Sequence, residues 1–332
     1  RSEGRRVDLI LTDLQMPDVG GLQVAEAARS RPERLPVVLT TAYADRITPE
    51  QAGAAGIAEV ILKPFRKSDL ARVLHALLGW GLPIDGRSAA RPGGLAFDFL
   101  ESLPGEPPVL TGHAGGLITI NVAEADDDYR EQHRDALSEP YRTVLGHLRH
   151  EIGHYYWSVL VRDTAWLPRF RELFGDERAD YGEALQRNYG EGPPADWRDR
   201  FISSYASVHP WEDWAESWAH YMHLRATLQT VASYDIDTTR VKLQITPFTP
   251  DVLYRQEPAA SARDFLDWIN AWVILTAVLN ETARSMGQPD IYPFVMNRAV
   301  VTKLHFVQCV VEDWAPHASV APLPDELGLP AR

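Results

Sequence analysis

Residues 141–160 read YRTVLGHLRHEIGHYYWSVL, and their spacing predicts a single helix. Val144, Leu148, Ile152, Tyr155 and Val159 recur at intervals of three and four, the period that lays one apolar stripe along an α-helix. On that helix His150 and His154 stand one turn apart and project from the same face, so both imidazoles can reach one ion. Glu151 follows the first histidine and is placed to hold water beside the ion rather than to ligate it. This is the His-Glu-x-x-His pattern, in which two histidines and a third protein ligand leave the fourth position on zinc to water. Gly153, inside the motif, lets another backbone come close. His147 lies one turn before His150 and competes as a ligand, but a supporting or surface role is the better reading.

Two downstream segments can supply the third ligand. Residues 209–223, HPWEDWAESWAHYMH, place Trp211, Ala215, Trp218, Ala219 and Met222 at helical spacing behind Pro210, a residue suited to a helix start. A helix here could present Glu212 to the ion and Glu216, one turn later, to the outer nitrogen of a ligating histidine, fixing its tautomer. The other segment contains Asp176, Glu177 and Asp180 and begins 22 residues after His154. It is the second choice.

The rest of the chain divides in two. In residues 1–79, short apolar runs at Val7–Thr12, Leu35–Leu39 and Glu59–Leu62 alternate with helical patterns, which predicts a doubly wound parallel α/β sheet with its functional groups at the strand ends. Asp13, Thr41 and Lys63 each stand at such an end. Residues 80–94, rich in Gly, Pro, Arg and Ser, read as a linker. The acids at 124–128 read as a solvated turn ahead of the motif helix.

Of the 33 basic and 46 acidic residues, residues 1–79 hold 11 and 10, so the acidic excess belongs to the remainder. Such a field repels phosphate backbones, which argues against nucleic acid and suits a neutral or basic polypeptide. A single cysteine, Cys309, excludes an internal disulfide and any Cys-x-x-Cys knuckle, in keeping with a reducing compartment, the cytoplasm. Its apolar surroundings make it a buried small hydrophobe. No run approaches the ~20 apolar residues of a membrane span.

Residues 1–79 resemble the receiver domain of two-component response regulators, through Thr12-Asp13-Leu-Gln-Met-Pro17, the Thr41-Ala42 step and the Lys63-Pro64 pair. The resemblance implies Asp13 as phosphoacceptor, Thr41 as the hydroxyl that follows the phosphoryl group, Lys63 as its countercharge, and a histidine kinase as partner. A complete receiver has two further strands ahead of the first one here, and one of them carries an acidic pair that helps hold magnesium. Only Arg1–Arg6 precede the first strand, so the fragment is expected to be incompetent for phosphorylation.

From about Leu95 to Val311 the segments FDFL, TGHAGGLITINVAEAD, PYRTVLGHLRHEIGHYYW, LFGDERADY and YASVHPWEDWAESWAHYMH resemble a bacterial family of zinc-binding metallopeptidases that carry an N-terminal zinc ribbon. The cysteine count excludes the ribbon here. A more distant similarity, to the gluzincin toxin proteases of the anthrax lethal factor type, lies in the intervals of Tyr205, Glu212 and Glu216: a tyrosine seven residues before the ligand glutamate and a second glutamate four after it. It implies Glu212 as ligand, Glu216 behind His150 or His154, and Tyr205 as a donor to the developing oxyanion.

The expectation is therefore an α/β receiver fragment (1–79), a linker (80–94), a mainly α-helical, zincin-like α+β metallopeptidase domain (95–315) and a tail (316–332). The second domain would hold Zn2+ through His150, His154 and Glu212 and hydrolyse peptide bonds with Glu151 as base. The alternative is a non-catalytic signalling or binding module with a structural or vestigial zinc site. Glu151 favours the enzyme, since a structural site needs no base.

Overall fold

A computed structural model describes residues 10–13, 20–29, 37–41, 52, 55–62, 67–102, 107–137, 141–255 and 260–314. Near the N-terminus the strands β1 (Ile10–Asp13), β2 (Val37–Thr41) and β3 (Ile57–Leu62) form a parallel sheet in that order. Helix α1 (Gly21–Arg29) covers it, burying Ala25 and Ala28 with Val37 and Ala55. Strands that all run the same way bring their carboxyl ends to one edge. Asp13 closes β1 opposite Thr40, and Thr41 closes β2 opposite Leu62. Lys63 lies outside the described residues.

Helix α2 (Lys67–Gly79) buries Val73 and Leu77 in the same core as Leu148 and Ile152 of the motif helix. The chain beyond it follows that core. The Trp80 ring meets the edge of Trp218 at 6.3 Å, and the Tyr156 hydroxyl donates to the Pro83 carbonyl at 3.0 Å.

The larger part is mostly helical with one small sheet. Strands β4 (Ala96–Leu100), β5 (Gly112–Ala114) and β6 (Leu117–Asn121) take the order β4-β6-β5, with β6 parallel to β4 and antiparallel to β5. Gly115 and Gly116, at φ 54° and 90°, make the two-residue turn of the β5–β6 hairpin, where both positions need left-handed backbone. After α3 (Asp127–Leu137) comes the motif helix α4 (Val144–Tyr156), started by Thr143, whose hydroxyl accepts from the Gly146 N–H at 2.9 Å. The sequence predicts a helix to residue 160. The last turn, Trp157–Val161, is a π-helix instead, directly after His154.

Helices α5 (Leu167–Phe174), α6 (Tyr181–Glu191) and the single turn α7 (Trp197–Arg200) lead to α8 (Pro210–Ser233), with α9 (Ala260–Ser285) and α10 (Arg298–Trp314) completing the bundle. Trp214, Trp218, Tyr221, Met222 and Leu224 of α8 are buried, as are Val300, Val301 and residues 303–311 of α10. Cys309 is buried, as its apolar neighbours require. Within this core Lys303 donates to the buried Asp213 carboxylate at 2.6 Å and to the Arg200 carbonyl at 2.8 Å.

The close pass of α4 and α8 decides the site. A Cβ on Gly153 would lie 3.0 Å from the Ala215 Cα and 3.1 Å from the Trp218 Cβ, and the Trp214 indole donates to the Gly153 carbonyl at 2.9 Å. Gly153→Ala is therefore expected to push the two helices apart and lower stability by about 1–3 kcal/mol. A fall in Tm checks it; an unchanged Tm would mean that the contact relaxes freely.

One reading of the acidic run is corrected. Glu124 is 3% exposed rather than solvated, because Arg142 reaches it with two guanidinium nitrogens, at 2.5 and 3.1 Å.

Candidate metal centre

His150 and His154 sit on one face of α4, and Glu212 in the first turn of α8 looks back at them. Helix α8 begins at this place because His209 caps it: its Nδ1 accepts from the Trp211 N–H at 3.1 Å, and Pro210 takes the first helical position. One nitrogen of each histidine and one carboxylate oxygen of Glu212 lie within 4.8 Å of one another, all buried. Glu212 Oε2 is 2.9 Å from His150 Nε2 and 3.5 Å from His154 Nε2.

The far side of His150 is held as well. Its Nδ1 is 2.8 Å from Glu216 Oε1, and the other oxygen of Glu216 accepts from the Ser203 hydroxyl at 2.5 Å. With its Nδ1–H given to Glu216, neutral His150 turns a lone pair toward the Glu212 carboxylate, while His154 brings a second ring nitrogen to the same oxygen. A proton on His150 Nε2 satisfies one of the two contacts to Glu212 Oε2; a divalent cation among the three atoms satisfies both. The donor set of two imidazoles and one carboxylate, with an acidic residue behind the first imidazole, fits a zinc-type site.

Electrostatics follow the same geometry. Burial opposes a charge on His150, but hydrogen bonds to Glu212 and Glu216 raise its pKa well above the ordinary histidine value. Burial also pushes Glu212 up, and the opposing pull of His154 and His150 wins, holding it below the usual carboxylate range. Glu151 is buried beside the pair, and its pKa is raised by that burial against the two histidines.

Tyr205, on the 3-10 turn Tyr205–Ser207, puts its ring 5.9 Å from that of His150. Burial, and then the charge of Glu212, keep its phenol protonated. The structure thus brings Glu151, Tyr205 and Glu216 to the surroundings of His150, His154 and Glu212.

The competing acids go elsewhere. Asp176 pairs with Arg178, Glu177 with Arg171, and Asp180 caps α6 by accepting from the Glu183 N–H at 2.8 Å. His147 turns toward Glu124, 3.7 Å away, and burial lowers its pKa to about 4. Several neighbours of the site were missed in the sequence. Tyr181 donates to Glu212 Oε1 at 2.9 Å, Ser203 supports Glu216, and the rings of Trp211 and His113 lie 4.1 and 6.3 Å from that of His154. Tyr181 and His113 belong to two of the segments that resemble the metallopeptidase family, LFGDERADY and TGHAGG, but nothing in their local spacing aims them at α4.

Residues 64–310 match the protein family described as "Putative zinc-binding metallo-peptidase". The chain belongs to that family. Residues 2–75 match the response regulator receiver domain. This metallopeptidase-family chain is 44% identical over 269 residues to uncharacterized proteins of Mycobacterium tuberculosis and Mycobacterium bovis, an alignment covering 81% of this chain and 74% of theirs. Its first part is 34% identical over 71 residues to the regulatory protein AtoC of Escherichia coli, 21% of this chain and 15% of that protein. No solved structure matches. Among the described residues no helix is long and apolar enough to cross a membrane.

Proposed function

We propose that this chain is a zinc-dependent peptidase of the gluzincin kind, with His150, His154 and Glu212 holding the ion. The observation that carries the reading is the convergence of three buried metal-ligating atoms beside a buried carboxylate, Glu151, that is free of the metal set. Zinc bound there would supply Lewis acidity, polarising a scissile carbonyl and acidifying water. Glu151 would accept a proton from the attacking water, which bonds to the carbonyl carbon, and pass it to the amide nitrogen as the C–N bond breaks. Its raised pKa suits both halves of that transfer. Tyr205, kept protonated, would donate to the oxyanion of the tetrahedral intermediate. Glu216 would hold the His150 tautomer. The acidic field of the domain suits a neutral or basic polypeptide as substrate.

Residues 2–75 are read as a receiver domain in which Asp13 holds the phosphoacceptor position, with Thr41 and Lys63 as its partners and a histidine kinase as the donor. Family resemblance and the shared edge of β1 and β2 support this assignment.

The test is cleavage of a proteome-derived peptide library by the purified chain loaded with zinc. Peptide products that vanish on chelation and return with zinc are expected. A library left intact by the fully zinc-loaded chain would count against a peptidase.

A further inference from the structure

The segment that offers Asp176, Glu177 and Asp180 as possible ligands does reach the centre, but through a phenol. Tyr181 is the first residue of α6, set by the Asp180 cap and by the Ala179 carbonyl, which lies 3.0 Å from His209 Nε2. Its ring packs edge-on against His209 at 5.4 Å and Trp211 at 6.3 Å. His209 is also the residue that caps α8, so one imidazole ties the loop before Tyr181 to the helix that carries Glu212. Helix α6 itself buries only Ala184, and this tie is what holds its first residue over the site.

The two oxygens of Glu212 face different partners. Oε2 faces the Nε2 atoms of His150 and His154, at 2.9 and 3.5 Å, while Oε1 accepts the Tyr181 hydroxyl at 2.9 Å. The hydroxyls of Tyr181 and Tyr205 are 3.4 Å apart. With the Tyr181 O–H directed at Glu212, the contact between the phenols uses the Tyr205 O–H, in a bond long enough to give way to a better acceptor.

A carboxylate can hold a metal through one oxygen or through both. A second oxygen on the ion would fill the position that zinc chemistry reserves for water. We propose that Tyr181 is a positioning residue that keeps Glu212 a one-oxygen ligand: its O–H engages a lone pair of Oε1 and holds that oxygen back, leaves Oε2 for the ion, and so keeps a coordination position open. The inference rests on the reading of His150, His154 and Glu212 as the metal set.

Tyr181→Phe removes the hydroxyl and keeps the ring against His209 and Trp211, so the fold is expected to survive. Zinc affinity, measured by competition with a chromogenic chelator, should fall about 10- to 100-fold, as for other groups that orient a ligand. The cobalt-substituted variant should show a weaker visible ligand-field band than the parent, as a second carboxylate oxygen joins the ion. Tyr205→Phe should leave that band as it is. His150→Ala is the control for the site itself. Zinc lost from His150→Ala but bound by Tyr181→Phe with parental affinity and an unchanged cobalt band would overturn the role of Tyr181 alone. A fall in affinity without a change in the band would overturn it too, since general loosening produces that result. Zinc retained by His150→Ala would overturn the metal set and this role with it.

Discussion

Glu151→Gln is expected to leave zinc bound and to lower turnover of any peptide the chain cleaves by about 10²- to 10⁴-fold, the range for loss of a positioned acid-base group. Glutamine keeps the size of the side chain, and it fits a site where the parent residue is 7% exposed. What it removes is the carboxylate that burial has made more basic than usual. Equal zinc content with lost turnover would assign the chemistry to this residue. Turnover within about 10-fold of the parent, or activity that persists after chelation, would put the hydrolysis elsewhere and favour a signalling or binding module with a structural ion.

Removal of the ligands should act on zinc itself, and in graded fashion. His150→Ala, His154→Ala and Glu212→Ala each delete one of three converging donors, and each variant is expected to lose its zinc during dialysis, leaving a content near zero against about one ion in the parent. Glu216→Ala takes away the hydrogen bond to His150 Nδ1 but no ligand atom, and should weaken affinity by about 10- to 100-fold. Metal analysis after dialysis, followed by competition with a chelator, ranks the four. If Glu216→Ala lost the ion and Glu212→Ala kept it, the two glutamates would exchange roles.

The ranking bears on how much of the site was legible in the chain. Within a helix, spacing fixes direction: His150 and His154 had to share a face, with Glu151 beside that face, whatever the helix packed against. The same rule placed Glu216 one turn beyond Glu212 on α8. It could not say which of them would meet Nε2 and which Nδ1, and the order came only from resemblance. The acids at 176, 177 and 180 had a suitable separation from His154, yet each is taken by a local partner, Arg178, Arg171 or the first turn of α6. Short-range pairs of this kind leave no mark in sequence spacing.

What the sequence by itself determined was the local and periodic part: the motif helix, the helix that carries the glutamates, the parallel strands at the N-terminus, and the glycine needed where two helices touch. These depend on backbone preference and on which residues share a stripe, and both are written within about a dozen neighbouring positions. The tertiary structure alone decided which long-range partners meet. It set Ala215 against Gly153, brought Ser203 to Glu216, and put Tyr181 on the second oxygen of Glu212. It also buried Val73 and Leu77 of α2 in the core behind the site, and Glu124 against Arg142. Each of these contacts joins residues well separated along the chain. Their meeting is fixed by how the buried faces of α4, α8 and α10 pack together, and the spacing within any one segment holds no information about that.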